Sequence, residues 1–230
     1  MPRLSRRTVL ALAILLLVAG VVKSQEQAQT QDGRERYFLL LFEVPKGKPT
    51  AHSQYLQAAQ RTRKWLQQEL RPDDWVAVMS HQGKLELHHD FTRDREALSQ
   101  AVGAVMTGRK GEDLPLSPAG SPSLQLPRNP GARTRTISAS LAILGEATRG
   151  IPERKTLVLF TDGLDKEQKS DPVPALNSAH VSVYPVALAG GNSAGRQRLR
   201  ELAEATGGRF IEHFWSALDQ ISEAEDRREQ

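Results

Sequence analysis

The chain has 230 residues, no cysteine and a formal net charge of +4. The lack of cysteine excludes disulfides and any cysteine-ligated zinc or iron–sulfur site. The first 24 residues hold four of the 31 basic residues and none of the 27 acidic ones, so the rest is formally neutral and gives no electrostatic reason to expect nucleic-acid binding.

Residues 1–24 have the pattern of a secretory signal peptide. Basic residues precede an apolar run, Val9–Val22, that is short for a membrane span. The pair Arg6-Arg7 also resembles a twin-arginine signal. The pattern predicts export to the periplasm or cell envelope, with an uncleaved membrane anchor as the alternative. The polar residues 25–35 are expected to form a flexible leader.

From residue 36 onward, apolar strands alternate with amphipathic helices. The predicted strands are Arg36–Glu43, Trp75–His81, Lys84–Asp90, the run that ends at Asp162, Val181–Ala189 and Arg209–Glu212. The predicted helices are Ala51–Leu70, the segment after Thr92, Thr136–Arg149, Asp171–Ala179, Gly195–Thr206 and Phe214–Glu223. This alternation predicts a doubly wound, mostly parallel α/β sheet with helices on both faces. Apolar and polar residues alternate in Lys84–Asp90, which is typical of an antiparallel edge strand.

Two segments do not follow this alternation of strands and helices. Residues 107–132 are rich in glycine, proline and serine, and a loop of this length in a compact domain is either functional or disordered. The charged residues 224–230 are expected to form a solvated tail, which leaves residues 36–223 as the folded domain. His88, His89 and Asp90 could suggest metal binding, but neighbours on a strand point to opposite faces and make a poor chelate. The two histidines are expected to be a solvated edge-strand pair.

Asp162 and Gly163 come directly after an unbroken apolar run. Ligands of open α/β sheets bind at the carboxyl ends of such strands, so a carboxylate here can act in chemistry or hold a metal. The competing interpretation is that Asp162 hydrogen-bonds its own loop, as Asp-Gly turns commonly do.

Six short motifs occur in a characteristic order along the chain. They are Tyr37–Phe42, Leu70–Val78, Asp90–Leu98, Phe160–Gly163, Val183–Val186 and Leu202–Gly208. In order and spacing they resemble a von Willebrand factor type A domain of the exported bacterial VWFA-related type. The resemblance implies a doubly wound fold and a role in binding a protein partner, without catalysis.

Domains of this family often carry a metal-ion-dependent adhesion site. There, an Asp-x-Ser-x-Ser loop, a threonine and a later aspartate hold a divalent ion. The matching positions here are Glu43, Pro45 and Gly47, then Thr134 or Thr136, and Asp162. Since two of these positions lack a side-chain hydroxyl, the resemblance implies a degenerate site. Mg²⁺ held by Glu43, Thr134 and Asp162 is the alternative, because hard oxygen ligands suit that ion.

Four basic residues accompany these positions in sequence: Lys46, Lys48, Arg133 and Arg135. Cations disfavour a metal ion and favour acidic groups on a partner. We therefore predict a protein-binding surface at the carboxyl edge of the sheet, formed by Glu43–Lys48, Thr134–Thr136 with the adjacent Arg133, Asp162–Lys166 and the loop Thr107–Ala132.

Gly191–Gly195 also fits the Gly-x-Ser-x-Gly pattern of a hydrolase nucleophile elbow, with Ser193 as nucleophile. The only later histidine is His213, and no aspartate lies between the two. The sequence therefore favours a helix cap formed by Asn192 or Ser193. A serine hydrolase is the less favoured alternative function, and a membrane-anchored structural adaptor is another.

Overall fold

A computed structural model describes residues 35–44, 49–109, 120–127, 135–164, 171–188 and 191–228. The predicted signal peptide and almost all of the predicted leader lie outside these ranges. So do Lys46, Lys48, Arg133 and Thr134 of the predicted surface, together with positions 45 and 47 and residues 110–119 and 128–132 of its loop. No helix among the described residues is long and apolar enough to span a bilayer.

Five strands form one sheet in the order β3-β2-β1-β4-β5. They are β1 (Tyr37–Glu43), β2 (Trp75–His81), β3 (Leu85–Thr92), β4 (Lys155–Thr161) and β5 (Val181–Ala187). Only β3 runs antiparallel to its neighbour. This confirms the predicted fold class and its single antiparallel edge strand. The central strands are unbroken apolar runs because helices cover both of their faces.

The helices divide between the two faces of the sheet. They are α1 (Pro49–Gln68), α2 (Arg95–Thr107), α3 (Ile137–Thr148), α4 (Val173–Ser178), α5 (Ser193–Ala205) and α6 (Ala217–Arg228), with a 3₁₀ turn at Phe214–Ser216. Helices α1, α2 and α6 pack with Phe38, Leu40 and Phe42 of β1. Helices α3, α4 and α5 pack on the other face, with Leu39 and Leu41. Alternate residues of β1 thus serve two separate apolar layers.

The predicted strand Arg209–Glu212 is reduced to one bridge. Ile211 alone pairs with Val186, in parallel. Gly208 lies so close to β5 that an added Cβ would fall 1.9 Å from the Val183 carbonyl oxygen. The chain therefore approaches β5 through a glycine and leaves it after a single pairing.

The predicted charged tail is mostly helix. Helix α6 continues to Arg228, and Glu225 is buried where it accepts a 3.0 Å hydrogen bond from the Tyr184 hydroxyl. Asp226 forms ion pairs with Arg36 at 2.5 Å and with Arg71 at 2.6 Å. The prediction of a solvated run was wrong for Glu225 and Asp226, whose partners lie on β5, just before β1 and in the turn before β2.

His88 and His89 are both buried, which contradicts the predicted solvated pair. Shifts in the register between β2 and β3 near Val78 break the strict alternation that the prediction assumed. The Nε2 atom of His88 and the Ser80 hydroxyl share a 2.8 Å hydrogen bond. These histidines therefore belong to the interior of the sheet edge.

Residues 120–127 of the long loop lie away from the carboxyl edge. The Leu124 amide donates to the Asp90 carboxylate at 3.1 Å, and the Gln125 amide donates to the Ala147 carbonyl at 3.0 Å. Asp90 is level with the amino half of β2, and Ala147 is near the end of α3. The prediction that this part of the loop belongs to the binding surface was therefore wrong. The Asp90 carboxylate on β3 and the burial of Leu124 keep it away from the carboxyl edge.

Lys155, the first residue of β4, is fully buried. Its ammonium donates to the carbonyl oxygens of Thr148 at 3.3 Å and Ile151 at 2.5 Å, just past the end of α3. Burial lowers the pKa of Lys155 from its ordinary 10.5 to about 8. The side chain satisfies backbone acceptors at the cost of burying a charge.

We expect this lysine to make stability increase with pH above about 8. Between about 8 and 10.5 the unfolded chain holds a proton that the folded chain has released, so raising the pH favours the folded state. The gain should reach roughly 2 kcal/mol by about pH 9.5. Urea unfolding across this range checks it, with Lys155→Met as the control that should lose the increase. An equal increase in the variant would contradict the assignment.

Candidate functional site

The carboxyl ends of β1, β2 and β4 meet at one edge of the sheet. Glu43 is paired in register with His81, the last residue of β2. Phe42 is paired with Phe160, which places Glu43 level with Thr161 and next to Asp162. Two carboxylates, a histidine and a threonine hydroxyl are therefore gathered where open α/β sheets bind ligands.

The Glu43 carboxylate faces both neighbouring strands, and its side chain is only 17% exposed. The buried Thr161 hydroxyl donates to Glu43 Oε2. Glu43 Oε1 lies 3.9 Å from Nδ1 of the buried His81. Neither Thr161 nor His81 is among the site residues predicted from the sequence. The sequence held one indication that His81 lies beside Glu43: the predicted strands β1 and β2 are similar in length, and each ends in a polar residue.

Asp162 lies in a loop that other groups fix. The Gly163 amide donates to the Thr161 hydroxyl at 3.0 Å. An added Cβ on Gly191 would fall 1.7 Å from the Asp162 carbonyl oxygen, so the segment before α5 packs directly against this loop. Thr161 thus takes the loop-bonding role that the sequence offered to Asp162. In the described part of the chain, nothing hydrogen-bonds the half-exposed Asp162 carboxylate.

Arg135 and Thr136 begin helix α3 at the same edge. Arg135 is exposed. Thr136 is the N-cap residue, and its hydroxyl accepts a 3.2 Å hydrogen bond from the Ala139 amide. The hydroxyl of Thr136 is therefore engaged in the cap. Thr134, the other candidate threonine, lies outside the described residues.

The described residues do not fit an Mg²⁺ ion. Magnesium demands a near-octahedral set of oxygen ligands. No group of three or more histidines, aspartates or glutamates suited to an ion occurs within the described ranges. Glu43 is directed toward Thr161 and His81, and Thr136 caps a helix, so Asp162 is the one described carboxylate of the predicted set that faces outward.

Ser193 is the exposed first residue of α5. Asn192 is the N-cap, accepting a 2.7 Å hydrogen bond from the Gly195 amide, which confirms the predicted cap. A nucleophile elbow requires a sharp, strained turn, but His180 is the only non-glycine residue with positive φ in the described ranges. No hydrogen bond to a histidine activates Ser193 among those residues.

Trp215 is 60% exposed, the one large apolar side chain so exposed in the described parts of the chain. It follows Ile211, where the chain leaves the carboxyl end of β5, and its ring lies 4.2 Å from that of Phe214. The surrounding 3₁₀ turn lies beside α1. The sequence could not predict this exposure because it depends on how the turn packs.

Known protein families and curated proteins give no sequence match to the chain. Solved structures match its fold. One is an aerotolerance-related membrane protein of Bacteroides fragilis, carrying multiple mutations to serine, with TM-score 0.54 and 14% identity over 82% of this chain and 97% of that one. Another is a von Willebrand factor type A protein of Catenulispora acidiphila, with TM-score 0.54 and 14% identity over 83% of this chain and 42% of that one.

A third match is the proximal thread matrix protein 1 of the mussel byssus, whose metal-ion-dependent adhesion site holds zinc. Its TM-score is 0.51, with 13% identity over 80% of this chain and 45% of that one. These likenesses confirm the predicted resemblance at the level of the fold: the chain has a von Willebrand factor type A fold of the kind found in bacterial proteins.

Proposed function

We propose, from its von Willebrand factor type A fold, that the chain is a non-enzymatic protein-binding module of the cell envelope with a degenerate metal-ion-dependent adhesion site. The observation that carries this is the placement of Asp162. Its carboxylate is half-exposed at the carboxyl edge of the sheet, while Thr161 and Gly191 fix the backbone of its loop. A charged group on a loop whose backbone is already fixed loses little conformational entropy when a partner binds.

Binding is favoured over catalysis by the state of the candidate nucleophiles. No histidine or carboxylate hydrogen-bonds Ser193 in the part of the chain that the structure describes. Ser80 does share a hydrogen bond with His88, but both are buried in the sheet edge and a substrate has no access to them.

The surface offers both charge and apolar area. Arg135 is exposed. Lys46, Lys48 and Arg133 are assigned to the same surface from the sequence alone. These cations would meet acidic groups of the partner and steer its approach. Trp215 offers an aromatic contact of the kind that dominates many protein interfaces.

The proposed location rests on the signal-peptide pattern of residues 1–24. It is supported by the Bacteroides fragilis neighbour, which is described as a membrane protein. Export and cleavage of the signal remain predictions, which mass spectrometry of the mature amino terminus can test.

The test is capture of a partner from an envelope extract of the source organism. We expect Asp162→Ala and Arg135→Ala each to lower the captured amount about tenfold or more. The matched controls are Asp73→Ala and Arg154→Ala, which change exposed residues at the amino edge and should leave capture unchanged. Undiminished capture by Asp162→Ala, or equal losses in the controls, would contradict the proposal.

A further inference from the structure

We infer that the Thr161–Glu43 hydrogen bond, together with the His81 ring beside the same carboxylate, takes over the structural role of a bound ion in this chain, holding three strand ends together without a metal. This deepens the proposed function, because its relevance to a partner rests on the binding surface proposed above.

The Glu43 carboxylate is directed toward both strands that flank β1. One oxygen accepts the Thr161 hydroxyl from β4, and the other faces the His81 ring on β2. Both partners are buried, and a hydrogen bond to an ionised carboxylate is stronger than one between neutral groups. Glu43 thereby links the end of β1 to the ends of both neighbouring strands.

The Thr161 hydroxyl makes two hydrogen bonds that connect Glu43 to the Asp162 loop. Its hydroxyl donates to Glu43 and also accepts the Gly163 amide at 3.0 Å. Glu43 is thus connected, through one hydroxyl, to the loop that presents Asp162. This connection places the loop without requiring a ligand on the Asp162 carboxylate.

A bound ion would compete with these contacts for the Glu43 carboxylate. To bind a metal, Glu43 would have to turn away from Thr161, and that buried hydroxyl would lose its bond to the carboxylate and keep only the Gly163 carbonyl, 3.1 Å away, as an acceptor. Positions 45 and 47, proline and glycine, have no side-chain oxygen to complete the ligand set. The internal hydrogen bonds and a metal ion are therefore alternatives for the same carboxylate.

The test uses the protein alone, after treatment with EDTA. Thermal unfolding is measured with and without millimolar Mg²⁺ or Mn²⁺ for wild type, Thr161→Val, Glu43→Ala and the double variant. We expect Thr161→Val to lower Tm by about 3–10 °C. The matched control, Thr161→Ser, keeps the hydroxyl, and its Tm should fall much less. The double variant should fall little below the worse single variant, since both remove one interaction.

We expect no saturable rise of the wild-type Tm with either ion. A saturable rise that Asp162→Ala abolishes would overturn the inference, as would strictly additive effects of Glu43→Ala and Thr161→Val. If Thr161→Val does not fold, the wild-type titration and Thr161→Ser still decide. Because no partner is present, a failure of the capture experiment leaves this result standing. An ion-dependent Tm would contradict the degenerate metal site but would leave the proposed protein binding standing.

Discussion

Replacing Asp74 by alanine is expected to lower the free energy of unfolding by about 3–5 kcal/mol, the largest effect foreseen for this chain. The Asp74 side chain is 1% exposed and receives two 2.7 Å hydrogen bonds from the guanidinium of Arg36, which is itself 6% exposed. It also accepts the Arg71 amide at 2.8 Å. Alanine leaves a buried guanidinium without this partner, and Asp226, 42% exposed, compensates it only in part.

Urea unfolding measures this effect. The control is Asp73→Ala, which removes the neighbouring exposed aspartate and should change stability by no more than about 0.5 kcal/mol. Converting both Arg36 and Asp74 to apolar residues should restore much of the loss, since no buried charge is then left alone. A loss below about 1 kcal/mol in Asp74→Ala would show that the pair is weaker than its burial indicates.

The second large effect is expected at the candidate site, for Gly191→Ala. The added Cβ would lie 1.7 Å from the Asp162 carbonyl oxygen, so the backbone must shift. Overpacking of this kind costs about 1–3 kcal/mol. The shift should also move the Asp162 loop and reduce partner capture.

Gly103→Ala is the matched control, because Gly103 lies within α2 and an added Cβ there meets nothing within 4 Å. That change should stabilise the protein by up to about 1 kcal/mol, through the higher helix propensity of alanine. The two variants are compared by urea unfolding and by capture. Equal behaviour of both would show that the close contact at Gly191 does not hold the loop.

The strands were predictable because their apolar runs are unbroken, and the edge strand because its pattern alternates. The incorrect predictions concern residues whose burial depends on strand register or on contacts between residues distant in sequence. His88 and His89 are buried through shifts in register that a residue pattern does not encode. Glu225 and Asp226 read as tail residues because their partners, Tyr184 and Arg36, are distant in sequence.

The candidate site was predictable to a similar depth. Glu43 and Asp162 share an edge because each follows or ends a parallel strand, which the sequence indicates. The Thr161 contact was not predictable, because it requires the register of β1 against β4. The same holds for His81, which the register of β1 against β2 places beside Glu43.

Site-specific photocrosslinking tests most directly whether the partner binds at the carboxyl edge. A photoreactive phenylalanine analogue is placed at Trp215, at Arg135 and, as the control, at Arg154 on the amino edge, and the protein is exposed to envelope extract. We predict that positions 215 and 135 crosslink to the same protein and that position 154 does not. Crosslinking of a partner from position 154, with none from positions 215 and 135, would contradict the account.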